Sequence, residues 1–401
     1  MQLMFGMDFF NQVVEFPLDP ILGLNISYAA DQRKNKVDLG AGVYKTSDHQ
    51  SFILNSVKKA ETILLETEKS KDYLPIDGLP DFLSCTKALV FGSDFPFLYG
   101  AQTAGATAAL SVGGRFLKQI GLSSLYLSAP TWANHKRVFQ DAGLDIHTYS
   151  YFDWKTKGLA FDPMIEEIKK MPERSIILLQ VCCHNPTGID PTLEQWEILF
   201  DLFQKRGLFP FFDLSYQGFG KSVEEDAAPL ALFLKRGLPC AVAVSNAKNF
   251  GIYGERCGAL FIACSSAQEQ RAVGSQIKMI IRSLYSNPPC HGARIVSTIL
   301  QREELSKQWR GELAAMSTRI SETRKALALG LQAKTGSARF DYLLSQKGMF
   351  SYTGLSEPQV ERLISDYAIY LPSDGRINVA GLNGENLDYV IDAIIAVTNH
   401  F

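Results

Sequence analysis

The chain has 401 residues, 46% hydrophobic and 20% charged, which is enough apolar material for a large core and too little charge for a disordered chain. Lys and Arg number 40 against 42 Asp and Glu, and the resulting formal net charge of −2 argues against a dedicated nucleic-acid binder. No apolar run reaches the roughly 18 residues of a membrane-spanning helix, and at about 150 residues per domain the length predicts two to three domains, or one large domain with an appendage.

The N-terminal stretch Met1–Phe16 lacks a positive start and carries Asp8 and Glu15, so it reads neither as a secretory signal nor as an Arg-rich transit peptide; Met1, Met4 and Met7 are alternative starts. The first anion-binding candidate is Thr103-Ala104-Gly105-Ala106-Thr107-Ala108, small residues opening a helix through about Gln119. Backbone amides at such a start face outward, and small side chains let a phosphate approach them. Strands are predicted at Ser124–Ser128, Asp145–Tyr149 and Ser175–Val181. After the third comes Cys183-His184-Asn185-Pro186-Thr187-Gly188, a turn that holds Asn185 at a strand end. The next helix is capped by Thr192 and Gln195, repeats Leu193, Trp196, Leu199, Phe200 and Phe203 along one apolar face, and stops at Gly207.

Strand Leu208–Phe212 ends in Asp213, with Tyr216 three residues on. Strand Cys240–Ser245 runs into Asn246-Ala247-Lys248-Asn249-Phe250-Gly251 and then Arg256, ahead of strand Ala259–Cys264. Strands alternating with helices predict an α/β fold with a mostly parallel sheet. Beyond Asn287-Pro288-Pro289 the texture changes: helical patterns from about Gly292 to Ala333, short strands at Phe350–Tyr352, Ile369–Leu371 and Ile377–Ala380, and a last helix from about Asn386. This predicts a second, smaller domain entered through a long helix. The seven Cys are odd in number and show no paired C-x-x-C framework, which predicts reduced thiols and a cytoplasmic protein. The six His form no H-x₃-H pair, so no metal site is predicted.

Asn185, Asp213 and Lys248 thus stand at three strand ends, where open α/β sheets bind ligands. Alone, each has an ordinary reading: a turn Asn, a capping Asp, a surface Lys. Together they offer an amine that condenses with an aldehyde, a costly buried acid that wants a cationic partner, and, with Arg256 and the small-residue helix start, a phosphate cradle. That set answers the chemistry of pyridoxal 5′-phosphate.

The chain resembles the aspartate aminotransferases of the fold type I pyridoxal-phosphate superfamily, in the aspartate and aromatic subgroup. The resemblance runs from about Asp19-Pro20-Ile21-Leu22-Gly23-Leu24 to the C-terminus. It is carried by Val37-Asp38-Leu39-Gly40-Ala41-Gly42-Val43-Tyr44, Tyr73-Leu74-Pro75-Ile76-Asp77-Gly78, Pro130-Thr131-Trp132-Ala133-Asn134-His135-Lys136, His184-Asn185-Pro186-Thr187-Gly188, Lys248-Asn249-Phe250-Gly251, Tyr285-Ser286-Asn287-Pro288-Pro289, Gly348-Met349-Phe350-Ser351-Tyr352 and Gly375-Arg376 with Val379-Ala380-Gly381. It implies a large domain, 51–314, with a mostly parallel seven-stranded sheet between helices, a smaller α+β domain from 13–50 and 315–401, and an N-terminal arm, 1–12.

The resemblance also implies roles. Lys248 holds the cofactor covalently and later moves the proton, Asp213 pairs with the ring nitrogen, and His135 supports Asp213. Tyr216 and Asn185 touch the 3′-oxygen, and Trp132 stacks on the ring. Gly105, Ala106, Thr107, Ser245 and Arg256 surround the phosphate. Arg376 takes the substrate α-carboxylate and Gly42 lies over the substrate. Tyr73 and Arg282 reach the neighbouring subunit's site, which implies a homodimer with shared active sites acting on amino acids and 2-oxo acids, with neither nucleic acid nor membrane as partner. Two departures stand out: Ala247 where the family commonly has Ser, and Ala106 and Ala108 in place of glycines. An aromatic or broad-range aminotransferase, and a non-catalytic module that kept the fold, are the rival readings.

Overall fold

Seven of the short β-branched runs line up side by side in a computed structural model of the chain, which describes residues 9–16, 19, 21–48, 50, 52–92 and 95–398. They are β1 Leu98–Ala104, β2 Ser124–Ala129, β3 Asp145–Ser150, β4 Ile176–Gln180, β5 Phe209–Leu214, β6 Ala241–Ser245 and β7 Cys257–Ala263. Their order across the sheet is β1-β7-β6-β5-β4-β2-β3. Only β7 opposes its neighbours; the pairs β2–β3, β2–β4, β4–β5 and β5–β6 are parallel. The mostly parallel seven-stranded α/β sheet that the resemblance implies is present.

Every residue of β4 and β6 is buried, as expected of parallel strands covered on both faces. Successive side chains feed opposite layers: Phe211 packs with Leu110, Phe116 and Phe139, while Phe212 packs with Phe200, Phe203 and Phe233. The capping box of Thr192 and Gln195 and the left-handed stop at Gly207 form as read, and the helix spans Leu193–Arg206.

Several boundaries differ from the sequence reading. β1 is absent from that reading, because Gly100, Gln102 and Thr103 interrupt its apolar pattern; it is held by pairing with β7 along its whole length. For that reason the helix read from Thr103 begins at Gly105 and runs to Gln119. β5 continues to Leu214, so Asp213 lies inside the strand, in register with Gln180 on one side and Ala243 on the other. The helical stretch read from Gly292 to Ala333 is two helices, His291–Leu300 and Glu303–Thr335.

A separate apolar cluster gathers Val37, Leu327, Leu331, Ile369, Ile377 and Ile391. Around it lie a parallel pair, Val37–Asp38 with Ile369–Tyr370, and an antiparallel pair, Phe350–Tyr352 with Arg376–Asn378. The Glu303–Thr335 helix joins the two regions: Leu313, Met316 and Ile320 pack in the main core, Leu327, Ala328 and Leu331 in this one. Among the described residues no helix is long and apolar enough to cross a membrane. The alternative starts Met1, Met4 and Met7, and the first eight residues of the arm, lie outside the described residues.

Candidate active site

One edge of the sheet collects the functional candidates because five strands end or begin there. Ala104, the last residue of β1, pairs with Cys257, the first of β7, and Ser245 at the end of β6 pairs with Gly258. The helix start at Gly105, the Lys248 turn and Arg256 are thereby neighbours, with Asp213 of β5 and the turn after β4 beside them. They enclose a cavity of about 300 Å³. Gly42, Ala106, Thr107, Trp132, Asn185, Asp213, Tyr216, Ser245, Lys248, Arg256 and Arg376 line it, as does the substituted position Ala247.

Asp213 is the buried anion of this cavity, only 6% exposed. His135, fully buried behind it, brings Nε2 to 3.2 Å from Oδ2, and the Ser215 hydroxyl donates to Oδ1 at 2.5 Å. Burial alone would raise the carboxyl's pKa, but His135, Ser215 and the Lys248 charge outweigh it and hold it below its ordinary value. His135 is fixed in turn by Thr131, whose Oγ1 is 2.8 Å from Nδ1.

Lys248 points its amine over the Tyr216 ring, 4.4 Å from the centroid. Burial lowers its pKa to about 8 against the pull of Asp213, and Arg256 and Arg376 lower it further. Burial also lifts the Tyr216 phenol well above its ordinary value, so it remains a donor.

The third corner favours anions. No side chain caps the Gly105–Gln119 helix, so its first amides are free of a side-chain acceptor. Arg256, in a left-handed conformation at φ 52°, stands against Gly105, and its Nη1 donates to the Tyr253 carbonyl at 3.0 Å.

On the open side, Arg376 is 3% exposed and sits over the Phe350 ring, 4.1 Å from the centroid. Its Nη1 donates to Asn185 Oδ1 at 3.1 Å and its Nη2 to the Gly40 carbonyl at 2.7 Å, while Nε is buried without a partner among the described residues. Asn185 Nδ2 reaches the Tyr216 hydroxyl at 3.4 Å. Gly42 closes this side so tightly that a Cβ there would come within 2.9 Å of the Phe350 ring.

Four predicted residues, Tyr73, Arg282, His135 and Gly105, do not line the cavity. Tyr73 is 91% exposed and lines a separate hollow of about 350 Å³ with Tyr285, Asn287 and Pro289. Arg282 is exposed nearby and donates to the Ser286 hydroxyl, a residue of the same hollow. His135 and Gly105 act from behind the lining. Sequence reasoning missed Ile21, Leu110, Gln180, Ser215 and Tyr253 as lining residues and gave Phe350 no role. The available signal was register: Gln180 lies opposite Asp213, and Ser215 follows it by two.

The family model described as aminotransferase class I and II matches residues 34–394. Aspartate aminotransferase of Escherichia coli (strain K12) is 42% identical over 394 residues, covering 97% of this chain and 100% of the relative. Among solved structures, an aromatic-amino-acid aminotransferase from Burkholderia pseudomallei covalently bound to pyridoxal phosphate is similar at a TM-score of 0.94 and 42% identity, covering 98% of this chain and 100% of that one. The Saccharomyces cerevisiae cytoplasmic aspartate aminotransferase is similar at a TM-score of 0.95 and 38% identity, covering 98% and 99%. The chain therefore belongs to the class I and II aminotransferase family.

Proposed function

We propose that this chain is a pyridoxal-5′-phosphate-dependent aminotransferase that moves the amino group between L-aspartate and 2-oxoglutarate, giving oxaloacetate and L-glutamate in alternate half-reactions. The observation that carries the reading is the pairing, in one cavity, of a desolvated amine with a buried carboxylate held ionised. The fit to the cofactor is threefold: Lys248 suits an aldehyde, Asp213 suits a protonated ring nitrogen, and the uncapped helix start with Arg256 suits a phosphate. The cavity volume is also at the lower end of small-molecule sites, about 300–1,000 Å³.

When bound, pyridoxal phosphate supplies an aldehyde that takes up the amino group and a ring that draws electrons from the substrate Cα. Asp213 would keep the ring nitrogen protonated, and His135 holds Asp213. Tyr216 and Asn185 would hold the 3′-oxygen as donors, and Trp132 would hold the ring by stacking. Gly105, Ala106, Thr107, Ser245 and Arg256 hold the phosphate. Lys248, its amine pKa lowered to about 8, would take the proton from the substrate Cα as base and deliver it as acid to C4′ of the cofactor, two atoms further on. Arg376 grips the α-carboxylate with its planar fork, and Gly42 leaves room above it.

Arg282 and Tyr73 complete the site of a second copy in a C2 homodimer: Arg282 grips the side-chain carboxylate and Tyr73 the phosphate. Support comes from their position, exposed and close together outside the cavity that needs them. Residues 13–50 and 315–401 form a small domain on a large domain of 51–314, with 1–12 as an arm; the separate apolar cluster supports this division. The enzyme works in the cytoplasm.

Activity on aromatic amino acids as well is favoured by one observation, the equal 42% identity to the Escherichia coli aspartate and Burkholderia pseudomallei aromatic enzymes. The test is a half-reaction with the purified, cofactor-loaded protein. Aspartate should convert the visible cofactor band, borohydride should trap the label on Lys248, and Lys248→Ala should show neither. Faster conversion with phenylalanine than with aspartate would select the aromatic reading. A label elsewhere, or none, would reject both.

A further inference from the structure

Gln180 is the last residue of β4, 7% exposed, in register with Asp213 and lining the cavity. Its amide has one arrangement that satisfies its neighbours. Oε1 accepts from the Asn185 N–H at 2.8 Å, so the other end must be the donor. Nε2 donates to the Asn185 carbonyl at 2.9 Å and lies 3.5 Å from Thr131 Oγ1.

That orientation gives the neighbouring hydrogen bonds a direction. A Thr131 hydroxyl that accepts from Gln180 has its own hydrogen to give, and His135 Nδ1 is 2.8 Å away. Nδ1 is then the acceptor, the ring hydrogen resides on Nε2, and Nε2 donates to Asp213 Oδ2 at 3.2 Å. The other charged and titratable groups here leave that direction standing. His184 is kept neutral by burial and bonds Ser128 and Thr187; Lys248 and Tyr216 face Asp213 from the cavity side; Ser215 occupies Oδ1. The rings of Trp132 and Phe139 also pack near the imidazole.

We infer that Gln180 is a positioning residue: its amide selects the His135 tautomer that donates to Asp213, and the same amide pins the backbone of Asn185, whose side chain meets Arg376 and Tyr216. One uncharged side chain thereby sets both ends of the ring-binding chemistry, the acid at the nitrogen and the donors at the oxygen. The catalytic meaning rests on the aminotransferase reading, but the tautomer does not.

The experiment uses full-length holoenzyme with ¹⁵N-labelled histidine, His135 being assigned with a His135→Asn variant. In the wild type, Nε2 of His135 should carry the hydrogen and Nδ1 should be bare. Gln180→Glu, equal in size but without a donor, should turn the Thr131 hydroxyl toward position 180 and exchange the two ring signals. It should also move the midpoint of the visible band's pH titration by about 0.5–1 unit. Gln180→Met, which removes both bonds to the Asn185 backbone where Glu removes one, should in addition raise the KM for aspartate about 3- to 10-fold, an effect worth one lost hydrogen bond. Should the position-180 variants fail to fold, Thr131→Val cuts the chain next to His135 and should move the ring signals and the band midpoint alone. Unchanged ring signals and midpoint in whichever variant folds would overturn the inference. A wild type that gives no band with pyridoxal phosphate, yet whose His135 tautomer follows residue 180, would instead reject the aminotransferase reading.

Discussion

Gly105 and Arg256 lie so close that a Cβ at position 105 would sit 2.7 Å from Nη2 of the guanidinium. Gly105 also has φ of +79°, a left-handed conformation that L side chains rarely adopt. The atom in the way belongs to the far end of a flexible side chain, so the chain can yield without unfolding. Gly105→Ala should therefore keep the fold and displace Arg256. Cofactor affinity, read by titrating cofactor-free protein with pyridoxal phosphate, should fall about 10-fold or more, the loss of one charge-assisted hydrogen bond. Wild-type affinity would show that Arg256 does not hold the phosphate.

Ala247 lines the cavity, and its N–H donates to the Ser245 hydroxyl at 3.3 Å. A hydroxyl restored at 247 would add one donor on the phosphate side. Ala247→Ser should tighten cofactor binding about fivefold, corresponding to about 1 kcal/mol. Equal or weaker binding would place the phosphate away from this residue.

The lowered Lys248 pKa makes a prediction with a definite sign. Below about 8 the buried amine is an ammonium and cannot attack an aldehyde; above it the amine is neutral. The rate at which cofactor-free protein develops its visible band should rise about tenfold per pH unit up to about 8 and then level off, whereas an ordinary lysine would climb toward 10.5. Linkage gives the companion effect. Between about 8 and 10.5 the unfolded chain binds the proton that the folded chain has shed, so the stability of the cofactor-free protein should rise with pH across that window. Lys248→Met should flatten that rise in urea melts.

Shared sites are tested by mixing two dead variants. Lys248→Ala supplies an intact Arg282, and Arg282→Ala supplies an intact Lys248. If Arg282 serves the partner, half of the reassembled dimers are hybrids with one complete site out of two, and aspartate activity should return to about a quarter of wild type. No recovery after confirmed subunit exchange would place Arg282 in its own chain's site.

Much of the site was legible because each key residue follows a run whose apolar character is local. Local apolar runs placed Asn185, Asp213 and Lys248 at strand ends, although β5 continues one residue past Asp213. β1 could not be placed in this way, since Gly100, Gln102 and Thr103 become a strand only through pairing with β7, more than 150 positions later. Gln180 and Ser215 received no role for another reason. A single amide or hydroxyl carries no chemistry until its partner is placed: Gln180 gains its meaning from standing in register with Asp213, and Ser215 from donating back to that carboxylate. Tyr73 and Arg282 were placed by resemblance to a family of shared sites, and one chain alone does not bring them to its own cavity.

The helix Glu303–Thr335, 33 residues rooted in two separate cores, has a mechanical corollary. At 1.5 Å per residue it is a rod of about 50 Å. A tilt of about 5° about its midpoint would swing either tip through roughly 2 Å, comparable to the gap between a hydrogen bond made and one broken. Substitutions around Ile320 and Leu327, which do not line the cavity, would act as changes of fulcrum. Their signature should be altered substrate grip at Arg376 with the Lys248–Asp213 chemistry left intact.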